Sequence, residues 1–567
     1  MKKLLYFLLA FSLLVPIVIS CKGKDPIVND KEKTLVSATY NSRSKVFILT
    51  YSNGESQTVH ATIDNTVSPP TAHTSLSDGT IIYVTDANNS GNATISTSLP
   101  TIDNKKYVND WIYENMSIYY YWNTKIPKSP DYSLTPDKFF DSVLFKYSAT
   151  NPGGDRFSWI QEDYTELLKS LSGVASDEIG FDYIFAWADQ AKTHYYAIVT
   201  YAKLGTDALA KGINRGRFVT KINGQNITAQ NYKTLFGGTG TKTLSMADWK
   251  WNATDQKYYL TNSPDVTISM HKDFAENPVY LDSVYTIGDK KIGYLTYNFF
   301  ARDKDDDSHD YDKLLMATLE GIKAKGATEM VLDLRYNSGG AVSSAIALAS
   351  ALVKNRSTSN ILVTSEYNSI VHNELQKEYG TNYNKEYFID KITKGTTTVV
   401  NIPAMNLPRL YVLTGNYTAS ASEFVINGLK PYMDVILIGE TTYGKNVGSI
   451  TIYEENDSKN KWGMQPIIVK YLNSKGESDF TAGFKPNHEI DEFGDNLYLY
   501  QFGDTKDPLL NKAIALITGT TLSTRASIPV TDTRSIKTED NVITKKSYKF
   551  EMYDDVRGDI IRNLMKK

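Results

Sequence analysis

The 567-residue sequence predicts a multidomain α/β plus β protein, with a small all-β domain, a helical segment, a second strand-rich domain and an α/β core. The length exceeds what one hydrophobic core usually organises. Residues 34–100 contain short alternating runs separated by Gly, Asn, Ser and Pro, which is typical of strands. Residues 276–520 alternate strand-like and helix-like segments, and this order favours an α/β core.

The N-terminus has the layout of an export signal, predicted at residues 1–20. Two lysines precede an unbroken apolar run, which ends beside Cys21, the single cysteine of the chain. The segment resembles a bacterial lipoprotein signal. That resemblance implies acylation of Cys21, a tether at residues 21–33 and a lipid anchor in a bacterial cell envelope. A chance cysteine beside an ordinary cleavage site is the alternative.

The next two segments differ in periodicity. Residues 34–100 include KVFILTY, QTVHATI and TIIYVTD, which predict strands, although their Ser/Thr/Asn content also allows a stalk. Residues 101–172 space their apolar residues at three and four, which predicts helices, and Thr135-Pro136-Asp137 is a helix-entry signal. The aromatic cluster Tyr119–Trp122 predicts core packing, with a ligand-stacking platform as the alternative.

The remaining segments return to strands and then alternate. Residues 173–275 are strand-like except for one helix-like stretch, DALAKGINRGRFVTKINGQNI. Residues 521–567 form a polar extension that ends in an amphipathic segment. Within the core, strands are expected at 292–299, 329–335, 410–414 and 435–438, and helices at 311–325, 341–354 and 420–429.

Two stretches carry residues suited to nucleophilic catalysis. NYTASASEFVINGL places two serines among small residues after an apolar segment. A serine hydroxyl needs a base to accept its proton, and a lysine serves if burial disfavours its ammonium form. Lys445 follows an apolar strand in a Gly-rich turn, whereas the seven histidines are scattered. A solvated lysine in a turn is the alternative.

A third stretch offers backbone donors. VLDLRYNSGG is an apolar strand that enters a small-residue turn ahead of a helix. Backbone N–H groups at such a turn can hold an oxyanion. The alternative is that the two glycines only allow a tight turn.

The combination of DLRYNSGG, TASASE and GKNVGS resembles the C-terminal processing (tail-specific) serine peptidase family. The resemblance implies a crotonase-like catalytic core at residues 276–520, with Ser420 as nucleophile and Lys445 as base. It also implies an oxyanion hole formed by backbone N–H groups of Gly339, Gly340 and Ala421.

Residues 173–275 are similar to the PDZ domain that these peptidases carry, through IGFDYIFAW and the stretch that begins GTDALAKG. The similarity implies that the loop Ile179-Gly180-Phe181 binds the C-terminus of a peptide. Many family members have a glutamine four residues after the lysine, and Ser449 occupies that position here. We assign Ser449 as the third catalytic residue on this basis.

The expected function is a serine endopeptidase that cleaves peptides or unfolded proteins in the cell envelope, with substrates recognised at their C-termini. A non-catalytic PDZ-containing binding protein is the alternative, and a third hypothesis gives the β domain the main role, in adhesion.

The net charge of -3 does not indicate a basic surface that would bind nucleic acid. No Cys/His constellation or phosphate loop is present, so no cofactor or metal is expected. The acidic run at 303–312 lacks the glycine and glutamate of a calcium loop, and a solvated loop is expected there.

Overall fold

The computed structural model describes residues 33–64, 70–96, 104–189, 191–254, 256–455, 457–493, 497–520, 552–555 and 557–565. The expected signal, most of the tether, the lipidation site Cys21 and most of the C-terminal extension lie outside these residues. The chain divides into two units, residues 1–103 and 104–567. No helix within the described ranges is long and apolar enough to span a bilayer.

The first unit confirms the expected N-terminal β domain. Within residues 33–64 and 70–96, eight strands form two four-stranded antiparallel sheets, ordered β3-β2-β1-β7 and β4-β5-β6-β8. Phe47 and Leu49 alternate with more exposed neighbours along β2 and contribute to a shared apolar core, so this region is a folded domain. The strands are β1 (Leu35–Asn41), β2 (Val46–Tyr51), β3 (Ser56–His60), β4 (Thr62–Asp64), β5 (Thr71–Ser75), β6 (Ile81–Val84), β7 (Gly91–Asn92) and β8 (Thr94–Ser96).

The second unit begins with the expected helices. Thr135 is the N-cap of the second helix and Pro136 its first residue, as the entry signal predicts. Tyr119 and Tyr120 are buried, and the Tyr120 hydroxyl donates to Asp155 Oδ2 over 2.8 Å, so the aromatic cluster belongs to the core. The elements are α1 (Lys105–Tyr119), α2 (Pro136–Val143), β9 (Trp159–Gln161) and α3 (Tyr164–Leu171).

Residues 174–275 form an antiparallel sheet, ordered β11-β12-β13-β15-β16 with β14 beside β13, and a separate β10–β17 pair. The expectation of a helix-like stretch at residues 207–227 is wrong, because only Asp207–Ala210 is helical within it. Gly212 and Gly216 have positive φ angles and turn the chain into a strand. The elements are β10 (Val174–Glu178), β11 (Phe181–Trp187), β12 (Tyr195–Ala202), α4 (Asp207–Ala210), β13 (Phe218–Ile222), β14 (Gln225–Asn226), α5 (Tyr232–Phe236), β15 (Thr241–Asn252), β16 (Lys257–Ser269) and β17 (His271–Ala275).

The α/β core confirms the expected alternation of strands and helices. The expected elements occur with small shifts, but the sequence interpretation did not assign the helix at 369–379 or the hairpin at 391–401. The elements are β18 (Val279–Ile287), β19 (Lys290–Tyr297), α6 (Asp310–Ala324), β20 (Glu329–Asp333), β21 (Gly340–Ala341), α7 (Val342–Leu352), β22 (Ile361–Tyr367), α8 (Ser369–Tyr379), β23 (Lys385–Tyr387), β24 (Lys391–Lys394), β25 (Thr397–Asn401), β26 (Arg409–Thr414), α9 (Ala421–Leu429), β27 (Asp434–Gly439), β28 (Val447–Ser449), β29 (Ile452–Tyr453), β30 (Gly463–Gln465), β31 (Ile467–Asn473), β32 (His488–Glu489), α10 (Pro508–Thr518), β33 (Met552–Tyr553) and α11 (Gly558–Met565).

The core contains two six-stranded sheets. The first has the order β18-β19-β20-β26-β27-β32, and β19 to β32 run parallel. All five residues of β20 are buried, as expected for a central parallel strand covered on both faces. The second sheet has the order β21-β33-β28-β31-β22-β23. Adjacent parallel strands end at the same sheet edge, which is where ligand and catalytic sites form in α/β proteins.

Candidate active site

The three candidate stretches follow three adjacent parallel strands. Gly339, Ser420 and Lys445 each lie six residues beyond the end of β20, β26 and β27, which end at residues 333, 414 and 439. Backbone hydrogen bonds join the three turns, because Tyr443 N–H donates to the Thr418 carbonyl and the Ala419 N–H donates to the Asn337 carbonyl. The sheet therefore brings together the stretches that the sequence presents separately.

Ser420 is the N-cap of α9 and is fully buried. Its backbone has φ 58° and ψ −114°, a conformation that non-glycine residues rarely adopt. Such strain costs on the order of 1–3 kcal/mol and persists only where surrounding contacts hold it. The Glu423 side chain supplies one such contact, since its Oε2 accepts from Ser420 N–H over 3.0 Å.

Glu423 connects the serine turn to the lysine turn. Oε2 accepts from the N–H groups of Ser420 and Lys445, over 3.0 and 2.8 Å, and Oε1 accepts from Gly444 N–H over 2.7 Å and from the Thr442 hydroxyl over 2.6 Å. One carboxylate oxygen thus lies within hydrogen-bonding distance of both candidate catalytic residues. Burial raises the pKa of Glu423 above its usual value, against these four hydrogen bonds, which favour the carboxylate.

Lys445 is buried, and it contacts Phe157, which lies between α2 and β9. Its Nζ lies 5.0 Å from the centre of the Phe157 ring. Arg156 Nη2, next to that ring, donates to the Gly444 and Thr481 carbonyls over 2.7 and 3.0 Å. A side chain on Gly444 would collide with the Thr481 carbonyl, so this turn requires glycine. Lys445 is 1% exposed, and burial disfavours the ammonium form, as a lysine base requires.

The turn after β20 is rigid. Asn337 Oδ1 accepts from Gly339 N–H over 2.9 Å, so this N–H is already used within the turn. Gly340 has φ 136°, and a Cβ atom on it would collide with the Phe300 carbonyl oxygen. Ala421 is the first residue of α9, where backbone N–H groups point out of the helix. The assignment of Gly340 and Ala421 as oxyanion donors stays a prediction.

Ser449, the expected third catalytic residue, lies in β28 and is buried. Its hydroxyl donates to the Met552 carbonyl over 3.3 Å, in the C-terminal segment of the chain. The proton of this hydroxyl is therefore used in a hydrogen bond to the C-terminal segment.

The expected peptide-binding loop begins at Ile179, which is buried. Gly180 N–H donates to Glu178 Oε1 over 2.8 Å, so this amide is used within the domain, and Phe181 opens β11. Glu178 also pairs with Lys203, which is buried with two further carboxylates at 2.7 and 3.8 Å. Carboxylate binding by this loop stays a prediction.

The acidic run at 303–312 is only partly the solvated loop that the sequence predicts. Asp303 is buried and accepts from the N–H groups of Asp305 and Asp306, over 3.0 and 3.3 Å. The Asp303 carboxylate therefore stabilises the conformation of the loop through hydrogen bonds to its backbone. Within the described ranges, no group of three or more His, Cys, Asp or Glu is arranged to hold a metal ion.

Sequence reasoning missed three residues of this site: Glu423, Asn337 and Phe157. The first two lie inside the motifs, but Glu423 accepts hydrogen bonds from the separate lysine turn and the Asn337 side-chain amide donates to the Tyr297 carbonyl, and a linear motif shows neither contact. For Phe157 the only signal is that it lies in DRFSWI, a short motif upstream of the second strand-rich domain.

Comparisons with known proteins find similarity to serine peptidases. Residues 291–490 match the model of Peptidase family S41, and residues 107–159 match that of the Peptidase S41 N-terminal domain. The carboxy-terminal processing protease CtpA of Bacillus subtilis (strain 168) is 24% identical over 316 residues, 53% of this chain and 56% of that protein. The match thus spans little more than half of that relative.

A solved structure covers more of the chain. The crystal structure of a candidate S41 protease from Bacteroides fragilis NCTC 9343 aligns with a TM-score of 0.58 and 27% identity. The alignment covers 74% of this chain and 98% of that chain.

Proposed function

We propose that this chain, which carries a serine-peptidase core of family S41, is an active endopeptidase of the C-terminal processing type with a Ser420/Lys445 dyad. The observation that carries the proposal is the shared carboxylate oxygen of Glu423, which bonds to the backbone N–H groups of both residues. A protein that only binds peptides needs neither a strained buried serine nor a buried lysine on the adjoining turn.

The chemistry follows from this arrangement. Neutral Lys445 accepts the Oγ proton of Ser420 as that oxygen attacks the scissile carbonyl carbon. Backbone N–H groups of Ala421 and of the Gly340 turn stabilise the tetrahedral oxyanion. The lysine then protonates the leaving amine, and water hydrolyses the acyl-enzyme. Phe157 keeps water from Lys445. Glu423 holds the Ser420 turn and the Lys445 turn in fixed positions relative to each other.

The substrate and the cellular location belong to the same proposal. The chain cleaves peptides or unfolded proteins, and the 174–275 domain assists as a PDZ domain that binds peptide C-termini. The chain is held in the bacterial cell envelope by a lipid on Cys21. The resemblance of the N-terminal residues to a lipoprotein signal supports the anchor.

The test compares casein hydrolysis by wild type, Ser420→Ala and Lys445→Ala across pH, with circular dichroism to establish folding. Wild type should cleave, and both variants should lose activity by about 10³-fold or more while folded. If folded wild type leaves casein and a panel of peptides with varied C-termini intact, the chain is a binding protein on a peptidase fold.

The anchor is tested separately. Expression in a bacterial host with and without Cys21→Ala should show membrane-associated wild type and a released variant. Equal release of both would exclude lipidation at Cys21.

A further inference from the structure

The C-terminal segment of the chain lies between two strands of the candidate active site. In the second core sheet, β33 separates β21 from β28. Gly340 and Ala341 pair in parallel with Met552 and Tyr553, and Tyr553 pairs in parallel with Ser449 on the other side. A segment from the end of the chain thus contacts both sides of the site.

The hydrogen bonds of this segment are those of an inserted strand. Asp554 N–H donates to the Ser449 carbonyl over 2.8 Å, and the Met552 carbonyl accepts from the Ser449 hydroxyl over 3.3 Å. Met552 is buried, and a Cβ atom on Gly448 would lie 3.3 Å from its carbonyl oxygen. The segment fits closely against β28.

The segment is anchored at the start of α7, the helix that follows the oxyanion turn. Asp555 Oδ1 accepts from Ser343 N–H over 3.0 Å, and Oδ2 accepts from the Ser343 hydroxyl. An acidic side chain at a helix N-terminus is favourable because the helix dipole is positive there. Further along, Arg557 pairs with Glu386 at 2.5 Å. These two anchors are polar, whereas Met552 and Ile561 pack in the main hydrophobic core, so displacement of the segment has to overcome both kinds of contact.

The two flanking strands carry the predicted catalytic elements. Gly340 belongs to the expected oxyanion turn, and Ser449 is four residues beyond Lys445. Strands that share one neighbour lie about 9–10 Å apart, twice the spacing of paired strands. Without β33, β21 and β28 would border a gap that is one strand wide. Such a gap binds an extended peptide through main-chain hydrogen bonds.

We propose that the slot between β21 and β28 is a binding site for extended peptide substrates, and that residues 552–555 of the same chain occupy it as an intramolecular competitor. This inference rests on the proposed function, because only a peptidase would have a substrate polypeptide as the competing ligand. The parallel pairing fixes the direction in which the competing peptide runs. Substrate binding therefore requires displacement of the C-terminal segment.

The test measures binding in the absence of catalysis. The chain carries Ser420→Ala and is compared at full length and shortened to end at Thr520, with folding established by circular dichroism. The probe is a fluorescein-labelled peptide of residues 549–567, followed by fluorescence anisotropy. The matched control peptide carries Asp554→Pro, which removes the N–H that donates to Ser449.

The shortened chain should bind the probe at least tenfold more tightly than the full-length chain, and the control peptide should bind at least tenfold more weakly than the probe. Unlabelled carboxymethylated casein should displace the probe. Equal probe affinity of the two chains, or bound probe that casein does not displace, would show that β33 is only a structural strand.

A second variant covers the case in which the shortened chain does not fold. Full-length Ser420→Ala with Asp555→Ala loses the anchor at α7 and should bind the probe more tightly than its parent. Unchanged probe affinity would overturn the proposal. If chains with Ser420 intact prove inactive while casein still displaces the probe, the proposed function fails and the slot remains established.

Discussion

Replacement of Glu423 by glutamine tests whether this carboxylate positions the dyad. The amide keeps one acceptor oxygen and places an NH₂ group where the other oxygen lies. If NH₂ takes the Oε2 position, it faces two N–H donors, those of Ser420 and Lys445. If it takes the Oε1 position, it faces Gly444 N–H, while the Thr442 hydroxyl can rotate to accept. The second arrangement is the less costly.

Even the better arrangement leaves one buried N–H without an acceptor, which costs about 1–3 kcal/mol. The remaining hydrogen bonds lose the assistance of a full charge, which adds roughly 1 kcal/mol. We therefore expect Glu423→Gln to lower the free energy of unfolding by about 2–4 kcal/mol. Because a displacement of about 1 Å costs roughly 10²-fold, kcat should fall by at least that factor.

The assay pairs urea unfolding with the kinetics of casein hydrolysis, at a temperature where the variant is folded. Glu329→Gln is the matched control, because Glu329 is also a buried carboxylate but pairs with Arg409 at the opposite end of β20. Glu329→Gln should have a lower free energy of unfolding than wild type but the same kcat as wild type while it is folded. Wild-type kcat and an unchanged unfolding midpoint in Glu423→Gln would refute a positioning role for Glu423.

Phe157→Ala should shift the acidic limb of the kcat/KM profile to higher pH, because water that reaches Lys445 stabilises its ammonium form; an unshifted limb would contradict this role of the ring. Lys203→Met should lower the free energy of unfolding by about 3–5 kcal/mol, since three buried carboxylates lose their cation, and a thermal melt like that of wild type would count against it. Burial raises the pKa of Glu492, but two buried arginines outweigh this effect and lower it overall. The stability from these ion pairs is therefore present above the usual carboxyl pKa of 4.5 and is lost as pH falls below it. Urea unfolding of Glu492→Gln between about pH 6 and pH 3 should show a shallower loss than wild type, and equal slopes would contradict the assignment.

Local patterns were sufficient for the central parallel strands of the core, although the helix at 369–379 and the hairpin at 391–401 were not assigned. The strands around Val331, Tyr411 and Leu437 are continuous apolar runs bounded by turn residues, so each can be predicted from its own segment. The error at 207–227 was avoidable, because Gly212 and Gly216 are local signals against a long helix.

The site itself depends on long-range contacts. The sequence indicated the serine and the lysine, but three of the four donors to the Glu423 carboxylate lie about twenty residues further along the chain. The pairing of Gly340 with Met552 joins residues more than two hundred positions apart. Polar residues near the end of a chain are usually solvated, and no periodicity in them indicates an inserted strand.

The two inferences about this site have one physical basis. A serine in a strained conformation and a lysine on another turn cannot hold each other in position, so the surrounding atoms must fix both. Glu423 helps to fix both residues through hydrogen bonds to the backbone N–H groups of Ser420 and Lys445. The strand β21 continues from the glycine turn after β20 and β28 from the lysine turn, so a peptide that pairs with both strands would link these two turns. In the free protein Met552 and Tyr553 make this pairing, and we expect a bound substrate to replace them.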